Sequence, residues 1–262
     1  MKVFIGTDME GISGIDTMEQ VSDVASPGHR FACERLMADT NAAADGAFAA
    51  GADTVYVIDG HNGSNSFIDE MLDPRIIKVN IRVWEKLLAE EKIDAYLHIG
   101  AHAMPGTIGG FLDHVQGYSC FDYSINGVSY GEIGQDAFFA GVFGIPVVTV
   151  SGDQAACDEA VKTLNNGIQC AVVKKGLCRN RAELVPLDEA ENRIREAARV
   201  GVSRYNQMKP FILSMPLTVR TVYTRTDYCD EALARRPDAR RIDARTAERT
   251  VDKVERYSDI LI

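Results

Sequence analysis

The chain has 262 residues, 46% of them hydrophobic and 25% charged, enough for a sizeable core in one large domain or two small ones. A formal charge of -10 and a pI near 5.0 argue against a nucleic-acid binder, which would show a basic face. No apolar run reaches membrane-spanning length, the start MKVFIGTD is too short for a signal peptide, and the six cysteines are scattered without a CxxC pair, so a reducing, cytoplasmic setting is expected.

Lys2 to Thr7 predicts a strand, followed by an Ala-rich helix over 28–50 that stops before Gly51. Asp53 to His61, Ala95 to His102 and Pro146 to Asp153 are further β-rich runs, the last followed by a helical pattern from Ala155 to Asn165. Between them, Met104 to Gly131 is rich in glycine and aromatics. Its segment DYSINGVSY (Asp122 to Tyr130) carries an Asn-Gly between two alternating runs, which predicts a hairpin. Glu132 to Gly144 then reads as a helix with Glu132 near its start.

Strands alternating with helices predict an α/β fold, a mainly parallel sheet flanked by helices. The remainder predicts a smaller α+β C-terminal region. It comprises a charged amphipathic helix from Asp188 to Gln207, a strand from Leu217 to Arg225, the basic stretch Ala234 to Arg241, a short strand and a final helix. A boundary near residue 180 divides the chain into 1–180, a metal-binding catalytic domain, and 181–262, a region for assembly and pocket-wall contacts. The basic stretch is read as a solvated face or a subunit contact.

Asp8, His61 and His102 close three different strands, and Glu10 follows Asp8 by two residues. In open α/β sheets the carboxyl edge of the strands is where ligands bind. Singly, each of these groups has a structural reading as a cap or a hydrogen-bonded core residue. Jointly, two carboxylates and two imidazoles in one crevice would carry heavy desolvation and repulsion costs, which a divalent cation removes. A mixed Asp, Glu and His set without thiolates suits zinc, with manganese or cobalt as alternatives. Several carboxylates suggest two ions, with Asp8 as the bridge and Glu132 as a fifth ligand.

Of the other histidines, His98 lies inside an apolar strand and is read as structural, facing a helix. His114 lies in a flexible loop over the same edge, where it can move a proton or stabilise an oxyanion. Asn62 to Ser66 offers polar groups directly after His61. Ser151-Gly152-Asp153 ends another strand, without a GxSxG elbow, and no phosphate-binding glycine motif is present.

The successive blocks TDMEGISGI, DGHNGSN, GAHAMPG, GFLDH and NGVSYGEIGQDAFFAG resemble, in order and spacing, those of the DppA-type zinc D-aminopeptidases over roughly residues 1–155. The resemblance implies an α/β domain with a dinuclear zinc centre, two Zn2+ per subunit, in a large homo-oligomer. It implies Asp8 as bridging ligand, Glu10, His61, His102 and Glu132 as the other ligands, and His114 as the catalytic histidine. The activity expected is removal of N-terminal residues, D-amino acids in particular, from short peptides or aminoacyl amides by a metal-activated water. Neither a nucleic acid nor a membrane is expected as a partner. The alternatives are an amidase or other small-amide or ester hydrolase using the same centre, and a metal-binding assembly protein without turnover.

Overall fold

A computed structural model describes every residue except Ser64 and Asn166. The first half runs β1 (Lys2–Thr7), α1 (Met18–Ser22), α2 (Pro27–Ala49), β2 (Thr54–Asp59), β3 (Ile76–Val79), α3 (Trp84–Glu90), β4 (Ala95–Ala101), β5 (Cys120–Ile125) and β6 (Val128–Ser129). It continues with α4 (Glu132–Val142), β7 (Val147–Asp153), α5 (Gln154–Leu164), β8 (Gln169–Cys178), β9 (Arg181–Leu184) and α6 (Leu187–Ser203). The chain closes with β10 (Leu217–Tyr223), α7 (Thr226–Arg235), β11 (Arg240–Arg241) and β12 (Thr246–Val251).

Two sheets result. The first, in the order β3-β2-β1-β4-β7-β8-β9, is parallel except for the β8–β9 hairpin. The second, β11-β12-β10-β5-β6, is antiparallel. This is the expected α/β fold with a mainly parallel, helix-flanked sheet and an α+β addition.

Strand β1 alternates its side chains between two cores, as a two-residue period requires. Val3 and Ile5 join Val57 and Leu97 against the alanines of α2 and the apolar stripe of α6. Phe4 faces the other way, toward Tyr96, Phe139 and the second sheet's Tyr123 and Val219. Two deep layers therefore hold β1 in the middle of the molecule. Because β1 pairs with β2 on one side and β4 on the other, the connections leave it in opposite directions. The crevice such a switch point opens lies just past Thr7.

The ends of β1 and β4 are laced together beyond the regular ladder. Asp8 N–H donates to Ile99 O and Gly11 N–H to Gly100 O, both at 2.8 Å. The backbones approach so closely that a Cβ on Gly11 would lie 2.0 Å from Ala101 O. Gly100, with φ +82°, would place a Cβ 2.0 Å from Asp8 O. Glycine is required at 11 for space and at 100 for both space and conformation.

Other expectations fare unevenly. The hairpin forms as β5–β6, with Asn126 and Gly127 both in the left-handed region that its turn requires. The final helix is replaced by a 3-10 turn over Tyr257–Ile260, because Asp259 accepts from Glu255 N–H at 2.9 Å and Arg256 N–H at 2.8 Å and closes a single turn. β5 pairs with β10 and β6 with β5, while β9 and α6 pack with the first sheet, so the chain crosses between the sheets on both sides of residue 180. In the basic stretch, Arg240 and Arg241 pair with Glu248 and Asp230.

Gly100→Ala is expected to lower the free energy of unfolding by more than about 2 kcal/mol, combining left-handed strain with a backbone clash. Urea denaturation measures it, and an unchanged midpoint would contradict this account of the strand crossing.

Candidate metal centre

Three strand ends deliver their groups to one spot. Beyond β1 stand Asp8 and Glu10, beyond β2 His61, and beyond β4 His102, all buried. Glu132, the first residue of α4, adds a half-buried carboxylate from the opposite side. Asp8 sits between the imidazoles, with Oδ1 3.0 Å from His61 Nδ1 and Oδ2 3.3 Å from His102 Nε2. His61 Nδ1 lies also 3.2 Å from Glu10 Oε2, and His102 Nε2 3.6 Å from Glu132 Oε2. Two groups of ligand atoms emerge, Asp8 with Glu10 and His61, and His102 with His114 and Glu132.

Backbone acceptors set the protonation of two imidazoles. His102 Nδ1–H donates to Ala103 O at 3.1 Å, so its Nε2 presents a lone pair to Asp8 and Glu132. His114 Nδ1–H likewise donates to Leu112 O at 2.8 Å, leaving Nε2 available. Lone pairs facing carboxylate oxygens repel unless a cation lies between them, either a proton or a metal. A proton would draw these contacts to about 2.7–2.9 Å, the length of charge-assisted hydrogen bonds. His61 to Asp8, at 3.0 Å, is a hydrogen-bond distance, whereas the 3.3–3.6 Å contacts of His102 are longer and close to the roughly 3.3–3.5 Å between neighbouring ligand atoms around a tetrahedral zinc. Glu10 Oε2 and His102 Nε2 are buried without a hydrogen-bond partner, again as a cation's ligands would be. The residues fit a metal.

Electrostatics agree. Burial by itself would raise the Asp8 carboxyl, but the neighbouring imidazoles of His102 and His61 outweigh it and hold it well below the usual range. Burial opposes protonation of His61, yet Asp8 and Glu10 push it up to about 11. His102 is raised well above its ordinary value by Glu132 and Asp8 in spite of burial. For both His61 and His102 the surrounding carboxylates favour positive charge at this position in spite of burial.

Supporting groups fix the ligands. Asp59 accepts from His61 N–H at 3.2 Å and from Ser66 N–H at 2.6 Å, shaping the loop that turns His61 inward. Of the polar run Asn62 to Ser66, Ser64 lies outside the described residues. Buried Lys174 on β8 donates to Glu10 O and Ile15 O, each at 2.8 Å, and steadies the segment after β1. Ser151 is structural, its Oγ accepting from Gly100 N–H at 3.0 Å.

The loop that carries His114 is not the free flap that its composition suggests. Asp153 accepts from Phe111 N–H at 2.5 Å, Glu159 from Met104 N–H at 2.7 Å, and Arg179 O from Leu112 N–H at 2.7 Å. Leu112 is held at φ +52°, a conformation unfavourable for its side chain, and its carbonyl is the one that orients His114. His114 stacks on His102 with ring centroids 3.9 Å apart and planes 12° from parallel.

A cavity of about 570 Å³ opens beside these groups. Its wall holds polar residues that the sequence did not single out. Asp136, one helical turn after Glu132, accepts from Tyr96 OH at 3.1 Å and Tyr257 OH at 2.8 Å. His98 faces it at 3.3 Å, so this histidine does meet a helix, as expected, but at the cavity wall. The i, i+4 spacing from Glu132 was the signal for Asp136. Tyr257 had none, being 121 residues away in sequence. The fifth histidine, His29, contacts Gln20 O at 3.1 Å at the start of α2.

An α/β sheet with carboxylates and imidazoles gathered at its switch point, open to a cavity, presents the donor set that a metal-dependent hydrolase uses. The D-aminopeptidase family model matches residues 1–261, and the chain belongs to that family: it is an aminopeptidase, cleaving peptide bonds. A curated D-aminopeptidase of Bacillus subtilis (strain 168) is 29% identical over 217 residues, 80% of this chain and 77% of that protein. Among solved structures, the fold matches the Zn-dependent D-aminopeptidase DppA from Bacillus subtilis, described as a self-compartmentalizing protease. The TM-score is 0.91 at 22% identity, covering 99% of this chain and 95% of the other. Family membership sets aside the reading of an assembly protein without turnover.

Glu159 supplies a pH test of the loop's anchoring. Burial pushes its carboxyl up from 4.5 to about 7. Between those values the native state binds more protons than the unfolded chain, so this group's contribution to stability falls as pH rises through the window. Wild type is expected to lose on the order of 3 kcal/mol relative to Glu159→Gln between pH 4.5 and 7.5. Urea unfolding across that range measures it, and parallel pH profiles would contradict the assignment.

Proposed function

We propose that the chain is a dinuclear zinc aminopeptidase that releases N-terminal residues, D-amino acids above all, from short peptides or aminoacyl amides. The observation that carries the reading is Asp8. One oxygen faces the Glu10–His61 group and the other faces the His102–Glu132 group, which is the disposition of a bridging carboxylate. Glu10 and His61 would complete one site, and His102 and Glu132 the other. Manganese or cobalt would satisfy the same ligands. When bound, the ions supply Lewis acidity that brings a water's pKa from 15.7 toward about 7.

This chain's own residues do the rest. The cavity wall offers carboxylates to the substrate's ammonium group, with Asp136 held ready by two phenols. His114, its Nδ1–H spent on Leu112 O, presents Nε2 toward the reacting centre. There it steadies the developing oxyanion when protonated or passes a proton to the leaving amine. Its ring plane is fixed by His102, so the proton is delivered from one direction.

D-residue preference follows the family's activity, and a large homo-oligomer follows the description of the solved relative. No helix among the described residues is long and apolar enough to cross a membrane. A cytoplasmic enzyme fits the cysteines, all six of which are free thiols. Residues 1–180 would carry the ligands, and 181–262 would provide assembly contacts and, through Tyr257 and Leu261, part of the cavity wall.

Zinc analysis combined with turnover separates the roles. His102→Ala is expected to lose at least one of two zinc ions per chain. His114→Ala is expected to retain both while turnover falls about 10²–10⁴-fold. Loss of an ion in His114→Ala would make it a ligand instead, as its place beside His102 and Glu132 permits. Fewer than one zinc per chain in metal-replete wild type would overturn the dinuclear reading, and a panel of D- and L-dipeptides and amides tests the substrate.

A further inference from the structure

A second cavity, of about 610 Å³, adjoins the first, and His114 and Tyr118 line both. The two differ in their charged side chains. Among the described residues, the first has Glu85 and Asp136 on its wall besides the proposed ligands Asp8, Glu10 and Glu132, and no lysine or arginine. The second has Asp113 and Asp122 and a single arginine, Arg179. Building on the aminopeptidase reading above, we propose that Arg179 is a specificity residue that binds the free carboxylate at the far end of the substrate, so that the enzyme prefers peptides of two or three residues with an uncapped C-terminus.

The geometry is a column running outward from the metal centre. The His114 ring lies 3.9 Å from His102, the Tyr118 ring 5.2 Å from His114, and the Arg179 guanidinium carbon 4.9 Å from the centre of the Tyr118 ring. Stacking on Tyr118 holds the guanidinium flat. Nε faces Asp113 Oδ1 at 3.4 Å and Nη1 donates to Asn180 Oδ1 at 3.2 Å, so two of the three nitrogens are engaged. The other oxygen of Asp113, Oδ2, accepts from Gly106 N–H at 2.6 Å. The five donors of an arginine can serve these partners and a carboxylate together. The side chain is 38% exposed, within reach of a ligand in the cavity.

Peptide length follows from this placement. An extended chain advances about 3.3–3.6 Å per residue. A scissile bond at His114 therefore brings a carboxylate one or two residues downstream into the second cavity, and a longer peptide carries it past the guanidinium. The ammonium end is received in the first cavity, where Glu85 and Asp136 stand outside the proposed ligand set, and the carboxylate end in the second, beside Arg179, so the substrate's own dipole sets its direction. Asp122 also lines the second cavity, so removing the guanidinium would leave that wall acidic.

The test uses zinc-loaded enzyme with paired substrates, a D-alanyl dipeptide and the same dipeptide with a C-terminal amide. Wild type is expected to favour the free acid by about 10–100-fold in kcat/KM, the worth of a hydrogen-bonded ion pair. In Arg179→Gln that preference should vanish or invert, mainly through KM for the acid, while the amide, which offers no anion, loses far less. Arg179→Lys should restore part of the preference. An acid-to-amide ratio unchanged in Arg179→Gln overturns the proposal, as does equal loss of both substrates with zinc content and thermal midpoint preserved. A wild type that cleaves the amide and the acid equally overturns this proposal alone. One that cleaves neither, nor any other D- or L-peptide, overturns the aminopeptidase reading on which it rests.

Discussion

A buried carboxylate between two imidazoles, at the point where the sheet's connections diverge, is the constraint around which this molecule is arranged. Asp8 contacts His61 through one oxygen and His102 through the other and is largely buried. Withdrawing such a group from solvent costs several kcal/mol unless opposite charge is supplied. Neighbouring features reduce that cost or hold the geometry that offsets it. The glycines at 11 and 100 let β1 and β4 meet closely enough for Asp8 to stand beside His102. Asp59 shapes the His61 turn, and Lys174 braces the backbone at Glu10 from beneath.

Around the ligands lies a second tier of buried acids with a different duty. Asp153 and Glu159 face backbone N–H groups of the 102–118 loop and hold it over the crevice. Asp136 stands at the cavity wall, satisfied by two tyrosines. The molecule therefore concentrates negative charge near one edge in three ways: as ligands, as loop anchors and as cavity wall. The overall charge of -10 arises in part from this local concentration, and the same wall disposes the cavity toward a substrate that arrives amine first.

The parts legible in the sequence were those that short-range patterning controls. Strand ends that stop in Asp or His, the Asn-Gly hairpin and the Glu132 helix start all follow from local periodicity and turn chemistry, and they placed the ligands on one edge. The purpose of the glycines was less visible. Neither Gly6 nor Gly11 has the positive φ that a turn would need; what they provide is room, for Tyr96 OH at 6 and for the β4 backbone at 11. Short strands such as β3, and β8–β9 at the sheet's edge, draw their stability from pairing partners distant in sequence and left little local trace. The cavity's far wall depends on Tyr257 folding back across the molecule, and Arg179 matters because it stacks on Tyr118, contacts that no spacing rule encodes.

One backbone atom has a consequence for how such a centre can change. Ala103 O accepts from His102 Nδ1–H at 3.1 Å and from the backbone N–H of His114 at 3.2 Å. His102 and the segment carrying His114 thus hang from a single carbonyl, and a shift of that carbonyl displaces both imidazoles together. Adaptation of this enzyme to a new substrate is then free to remodel the distal walls, while the linkage at 103 resists any drift that would retune one imidazole without the other.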